Sequence, residues 1–387
     1  MKCRAAVLHG LHQEWKIEEL TVDPPKTGEV LVQWKVAGMC HSDEHMVTGD
    51  MVPDQATLDM IAEMGMPLYP IICGHEGAGI VVEVGPNVTS VAVGDHVSAS
   101  FIPSCGSCRY CSTGRQNLCD AGMGTFLPGM ITDGTHRHFL GDQPVGLMAK
   151  IGSFAEYACL SEKSIIKVDA DLPLDVVALV SCGVATGYGS AVNRADVRAG
   201  DTVVVVGVGG IGMNAVQGAR LAGAKRVIAI DPVEFKREKA MEFGATHTFA
   251  SMEEAMPAVN ELTWGQMADK VIMSPSVLYG DMMQLGTALA GKGGTIVVTA
   301  IAPMSQTHSA VNLFEVAMWN KEIKGTIFGS LNPRHDIPRL LGMYREGQLK
   351  LDELITSRYT LDQINVGYQA MRDGTNRSEE RRVGKEC

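Results

Sequence analysis

Residues 202–212 read Thr-Val-Val-Val-Val-Gly-Val-Gly-Gly-Ile-Gly, and the architecture of the chain follows from them. Thr202–Val206 is a β-branched run without polar alternation, which predicts a short strand covered on both faces. Gly207-Val208-Gly209-Gly210-Ile211-Gly212 then fits G-x-G-x-x-G, and Ile211–Ala222 reads as a helix. The next strand, Arg226–Ile230, ends at Asp231, 19 residues beyond Gly212. A strand before, a helix after and an acid at the end of the following strand turn a weak motif into a dinucleotide-binding fingerprint. Gly207 permits the tight turn, Gly209 lets the backbone approach a pyrophosphate, and Gly212 lets helix pack against strand. The helix start, with Gly210 and Ile211, offers unpaired N–H groups to the phosphates. Asp231 would accept hydrogen bonds from the adenosine ribose, and its charge repels a 2′-phosphate, so NAD is expected over NADP.

Working outward, a helix is expected over Glu234–Phe243 and strands over Lys270–Met273 and Thr295–Val298. Alternating strand and helix is the pattern of a doubly wound parallel sheet. Upstream the pattern differs. Val30–Val36 and Ile80–Val84 are short β segments, and Gly85-Pro86-Asn87 and Val93-Gly94-Asp95-His96 are turns. Beyond Phe328 the chain becomes helix-rich and mixed. The expected organisation is α/β: a β-rich domain over 1–183, an inserted parallel-sheet domain over 184–328, and a return to the first domain over 329–376. Met51–Pro70 is a long Met-rich insertion, with a helix expected near Thr57–Gly65, read as a surface insertion or a lid at a substrate entrance.

The chain has 387 residues, 45% hydrophobic and 20% charged, which suits two folded domains. Its net charge of −11 argues against nucleic acid or an anionic membrane surface as partner. No run approaches the ~20 apolar residues that span a bilayer, and Met1-Lys2-Cys3-Arg4 opens no signal peptide. Cys387 is last and so forms no prenylation box. The expected location is cytoplasmic. Four of the ten cysteines crowd between 105 and 119, which in a cytosolic chain favours metal over disulfides.

Cys105, Cys108, Cys111 and Cys119 are spaced C-x2-C-x2-C-x7-C. Four thiolates at such spacing close a tetrahedral zinc shell and leave no open position, so this is a structural site; an iron–sulfur cluster is the competing reading. A second set is dispersed: Cys40, His75 and Cys182. Singly, each reads as a buried small residue or a structural histidine. Together, two cysteines and a histidine leave zinc one open position for catalysis. Cys3, Cys73 and Cys159 read as packing residues.

With the fingerprint, the cysteine lobe and Gly74-His75-Glu76 in view, the chain resembles the zinc-dependent medium-chain alcohol dehydrogenases from about Ala5 to Asn376. Cys40–Asp50, Cys182–Asn193, Asp231–Ala245 and Lys350–Leu354 resemble more closely the NDMA-dependent nicotinoprotein branch associated with mycofactocin. The resemblance implies a GroES-like catalytic domain carrying both zinc sites and a Rossmann domain for NAD. It implies hydride transfer from a primary alcohol to a tightly held NAD, with electrons passed to an external acceptor. Cys40, His75 and Cys182 would hold the catalytic zinc. Ser42 would receive the hydroxyl proton and relay it, through the cofactor ribose, to His45 near the surface. Asp43 would orient the zinc-binding histidine, and Glu76 would enter the zinc shell transiently. His41 would lie by the pyrophosphate, Thr186 against the nicotinamide, Ile211 beside the dinucleotide and Lys236 at the adenosine ribose; alone, Lys236 reads as a helix-surface charge. A homo-oligomer joined through the cofactor domains is also implied.

Two further readings stand beside it, a second enzyme and a protein of another class. A dehydrogenase of a formaldehyde–thiol adduct would share both zinc sites, and a silent NAD-binding protein would lack the catalytic ligands that this chain keeps. The tail departs from the family. Arg377–Cys387 contains one strong apolar residue, Val383, where the family has a closing strand, and it back-translates to a common sequencing-adapter sequence. It is therefore read as non-native. Ser378 stands where the family has a pyrophosphate-contacting arginine.

Overall fold

The structure is a computed structural model that describes residues 1–122 and 129–373. The 377–387 tail with Ser378, and Gly374–Asn376 before it, lie outside the described residues.

Thr202–Val206 is buried along its length and sits inside a parallel sheet. Among the described residues the strand order is His247–Phe249, Arg226–Ile230, Thr202–Val206, Ala268–Met273, Ala290–Val298 and Glu322–Gly325. The order reverses direction at Thr202–Val206, and the glycine turn follows that strand, which is where doubly wound sheets bind ligands. Helices Gly210–Leu221, Glu234–Glu242 and Met252–Leu262 connect the strands. Val204, Ile228, Val271, Met273 and Ile296 meet in the apolar core, so the β-branched runs are explained by burial.

The chain divides into two units: Gly183–Leu331, which holds this sheet, and Met1–Cys182 with the chain from Asn332 onward. The latter carries two β-sheets. One is antiparallel throughout, in the order Tyr157–Ser161, Glu29–Ala37, Gly77–Val84, His96–Ala99 and Ile165–Lys167. The other centres on Lys2–Leu8 paired with Lys16–Val22. Leu8, Leu20, Ile72, Phe154 and Tyr368 are fully buried in its core, and Trp15 stacks on Tyr368 at 4.3 Å. The insertion forms a helix at Gln55–Glu63, capped by Asp54 accepting from Thr57 N at 2.9 Å, with no buried residue. No single helix among the described residues is long and apolar enough to cross a membrane.

A buried ion pair that composition does not reveal braces the first unit. Arg137 Nε donates to Glu29 Oε2 at 2.8 Å and Nη2 to Glu29 Oε1 at 2.7 Å, with Asp133 Oδ2 at 2.8 Å from Nη2. Next to it, the buried His138 accepts the Cys159 N–H at Nε2, 3.3 Å, which assigns the ring proton to Nδ1. Burial, reinforced by the positive charges of His136 and Arg137, pushes His138 down to about 3. Its folded value lies below its unfolded one, so the stabilisation is present above about pH 6.5 and is lost as pH falls towards 3. We expect the unfolding free energy to decline in that window by up to about 1.4 kcal/mol per pH unit from this group. Denaturant titration across pH 4–7 checks it: His138→Gln, which keeps an acceptor for Cys159 N–H, should flatten the slope, and an unchanged slope refutes the assignment.

Candidate active site

Cys40 lies between strand Glu29–Ala37 and helix His41–Thr48, and Asp43 on that helix turns back to accept the Cys40 N–H at 3.4 Å. The other oxygen of Asp43 accepts from Gly74 N at 2.7 Å and lies 3.3 Å from His75 Nδ1. Asp43 is fully buried, so this carboxylate fixes the imidazole with Nδ1 towards itself and leaves Nε2 for another partner. Cys40, His75, Glu76 and Cys182 then offer ligand atoms that all lie within 4.8 Å of one another, and all four residues are buried. Glu76 Oε1 is 4.0 Å from His75 Nε2. Space for the Glu76 carboxylate comes from Gly38: a Cβ there would stand 2.0 Å from Glu76 Oε2.

The electrostatics of the cluster ask for a cation. The neighbouring Cys40 side chain, then burial, then Glu76 push the Cys182 thiol well above its ordinary value. Two thiolates and a carboxylate share a water-poor space only with a positive ion between them. Sulfur and imidazole donors suit zinc, and three of them leave an open position. The donor set therefore fits the group.

In the other unit, Gly207 adopts φ +82°, and a Cβ there would sit 2.5 Å from the Ser274 carbonyl oxygen. Helix Gly210–Leu221 begins at Gly209 with no side-chain cap, leaving its first N–H groups open. A Cβ on Gly212 would stand 1.9 Å from the Gly207 oxygen, so the third glycine permits the turn to close on its own helix. Asp231 is buried; Oδ2 accepts from Val208 N at 3.0 Å and Oδ1 from Val233 N at 2.9 Å. The backbone thus clamps the carboxylate at the strand end, with a further lone pair on each oxygen. This cradle fits a dinucleotide.

Residues 26–170 match the alcohol dehydrogenase GroES-like domain family and residues 210–346 the zinc-binding dehydrogenase family. The chain is 50% identical over 376 residues to the NDMA-dependent alcohol dehydrogenase of Amycolatopsis methanolica, covering 97% of each. It belongs to the zinc-binding medium-chain alcohol dehydrogenases. Alcohol dehydrogenase B of Mycobacterium tuberculosis is 46% identical over 97% of each chain. Among solved structures, the benzyl alcohol dehydrogenase of Acinetobacter calcoaceticus matches with a TM-score of 0.86 at 29% identity over 100% of each chain.

The remaining expected residues of this alcohol dehydrogenase fall as follows. Ser42 is half-buried, with Oγ 3.6 Å from Cys40 Sγ. His45, expected near the surface, is only 3% exposed. That expectation is corrected: His45 is a buried residue of its helix, and its Nδ1 lies 3.0 Å from Oδ2 of the partly exposed Asp50, beyond the Gly49 cap. Burial raises the Asp50 carboxyl, but hydrogen bonds from Thr48 and His45 outweigh it and hold it below its ordinary value. His41 is half-buried, its ring 6.3 Å from that of His45. Thr186 is buried in helix Gly183–Gly189, which approaches Gly210–Leu221 so closely that a Cβ on Gly187 would meet the Ile211 oxygen at 2.0 Å. Ile211 and Lys236 are half-buried.

Cys105, Cys108, Cys111 and Cys119 converge within 4.8 Å. Backbone N–H groups point at their sulfurs, from Cys108 to Cys105 at 3.3 Å and from Cys111 to Cys108 at 3.4 Å. Burial raises the Cys105 thiol, yet the N–H groups of Cys108 and Ser107, with the Cys119 and Ser107 side chains, outweigh it and hold it at about 6, the thiolate form that a metal takes. Cys3, Cys73 and Cys159 are buried and belong to neither cluster.

Sequence reasoning missed three supports. The Tyr368 hydroxyl donates to the Cys40 oxygen at 3.4 Å, and Arg372 Nη1 to Glu44 Oε1 at 2.8 Å, so helix Ile364–Arg372 braces helix His41–Thr48. Arg237 Nη1 donates to the carbonyls of Asp231 and Pro232 at 2.8 and 2.9 Å and holds the strand end against its helix. Only Gly38, within Gly38-Met39-Cys40, left a signal, and it is legible as a demand for space only once Glu76 is in place.

Proposed function

We propose that this alcohol dehydrogenase oxidises primary alcohols to aldehydes by hydride transfer to NAD, and that it holds NAD tightly for reoxidation by an external acceptor. The observation that carries the chemistry is the buried Cys40–His75–Cys182 set with Asp43 behind His75. A zinc ion there supplies Lewis acidity that lowers the alcohol hydroxyl's pKa, and NAD supplies the hydride acceptor. Asp43 holds His75 in one orientation. The Ser42 hydroxyl accepts the substrate's proton, and His45 passes it to Asp50, whose partial exposure makes it the exit. Glu76 stands ready as an alternative ligand when substrate and product exchange. The second zinc belongs to Cys105, Cys108, Cys111 and Cys119 and is structural.

Gly207, Gly209, Gly210, Ile211 and Gly212 cradle the pyrophosphate with His41, Asp231 and Lys236 take the adenosine ribose, and Thr186 backs the nicotinamide. The clamped Asp231 carboxylate supports NAD over NADP. The likeness to an NDMA-dependent dehydrogenase supports the external acceptor, and the likeness to a benzyl alcohol dehydrogenase supports a primary alcohol.

The test is the NAD content of the purified protein after exhaustive desalting, released by denaturation. About one NAD per chain is expected, together with alcohol-dependent bleaching of N,N-dimethyl-4-nitrosoaniline without added NAD. An empty protein that turns over only with free NAD would refute tight binding while leaving the dehydrogenase reading intact.

A further inference from the structure

Helix Gly183–Gly189, which carries Thr186, continues into the turn Ser190–Arg194, and a chain of hydroxyl groups begins there. The fully buried Ser190 hydroxyl lies 2.6 Å from the Thr186 carbonyl oxygen. A carbonyl oxygen only accepts, so Ser190 must donate to it. A hydroxyl has one proton, so Ser190 can meet Thr299 Oγ1, 3.1 Å away, only as an acceptor. The Thr299 hydroxyl therefore donates to Ser190, and its own oxygen offers nothing but lone pairs. Among the described residues no N–H or O–H group donates to that oxygen. A threonine hydroxyl commonly turns between donor and acceptor roles; this one is locked as an acceptor.

Thr299 stands where the far half of a dinucleotide would end. It follows strand Ala290–Val298, and its N–H and that of Ala300 both donate to the Met273 carbonyl at 3.0 Å, at the end of strand Ala268–Met273. The next residue, Ser274, donates its N–H to the Val206 carbonyl at 2.8 Å, beside the Gly207 turn. Asp231 lies on the opposite side of Thr202–Val206, at the end of Arg226–Ile230. With the pyrophosphate on the Gly207 turn and the adenosine ribose at Asp231, the nicotinamide half runs towards the ends of Ala268–Met273 and Ala290–Val298. Thr299 is half-buried there and not sealed into the core.

The carboxamide of nicotinamide has two unlike ends, an NH2 that donates and an oxygen that accepts. An acceptor-only hydroxyl takes the first and disfavours the second. We propose that Thr299 is a cofactor-positioning residue whose oxygen accepts the carboxamide NH2, with Ser190 enforcing that choice. The ring is then held one way round, with one face of its C4 turned to the substrate. This rests on the NAD reading above and extends it to a hydroxyl pair that the glycine motif does not include.

Dialysis of the full enzyme to equilibrium against an equimolar mixture of NAD and 3-acetylpyridine adenine dinucleotide tests this, with the bound dinucleotides released and counted. The analogue carries a methyl group in place of the NH2 and is otherwise the same. The preference for NAD is expected to fall about fivefold in Thr299→Val and to be kept in Thr299→Ser, which retains the hydroxyl. Ser190→Ala leaves Thr299 in place but frees its proton, so the preference should fall there too. That variant decides if Thr299→Val does not fold. A preference unchanged in either Thr299→Val or Ser190→Ala overturns the proposal, including the case where Thr299 takes a ribose hydroxyl, which both dinucleotides carry. When the unaltered enzyme still binds NAD, that outcome removes the positioning role alone. An unaltered enzyme that binds neither dinucleotide overturns the NAD reading together with it.

Discussion

Cys182→Ala is expected to lower alcohol oxidation by about 10⁴-fold while leaving the protein folded. The thiol is one of the three soft donors that converge with Glu76 within 4.8 Å, and alanine offers no atom to a metal. A Lewis-acidic ion contributes several kcal/mol to the barrier, and about 1.4 kcal/mol is tenfold, so its loss is worth roughly 10⁴. Alanine is smaller than cysteine and the position is buried, so the substitution adds no clash. Emission spectroscopy should find zinc falling from about two to about one per chain, because the Cys105–Cys119 lobe has its own complete ligand set. Retained activity, or zinc unchanged in Cys182→Ala, would refute the ligand assignment. If zinc instead fell to none, the lobe would not be an independent site.

Gly207→Val is expected to remove NAD from the protein and to destabilise the parallel-sheet unit by about 3 kcal/mol or more. Two independent obstacles act there. At φ +82° a β-branched residue is strained, and its Cβ would stand 2.5 Å from the Ser274 oxygen and 2.7 Å from Pro275 backbone atoms. Neither neighbour is a side chain that can rotate away. The turn must open, which moves the first N–H groups of helix Gly210–Leu221 and the Val208 N–H that clamps Asp231. NAD counted after desalting and the thermal unfolding curve both report the result. A variant that keeps its NAD and its melting temperature would show that the turn is not the cofactor cradle.

The strands and the glycine turn were legible because their causes are local. Thr202–Val206 is short, β-branched and unbroken, and Gly207 needs a positive φ at that one position. Element ends shifted by a few residues: the helix expected at Ile211 starts at Gly210, and the strand expected at Thr295 starts at Ala290. The insertion's helix begins at Gln55, where Asp54 caps it, two residues before the expected Thr57. His45 was misplaced because exposure depends on which helix face the core covers, and a helix as short as His41–Thr48 has too little periodicity to show it.

The sequence alone determined the fold class, the nucleotide turn and the closed four-cysteine site, because each depends on spacing within one short segment. It named Cys40, His75 and Cys182 only through likeness to a family, since no spacing rule connects residues so far apart in the chain. Their convergence, the room that Gly38 leaves for Glu76, the burial of His45 and the pairing of Arg137 with Glu29 were decided by the tertiary structure. Burial and opposition of side chains arise from strands and helices distant in sequence, and a linear pattern holds no record of which side chains finally face one another.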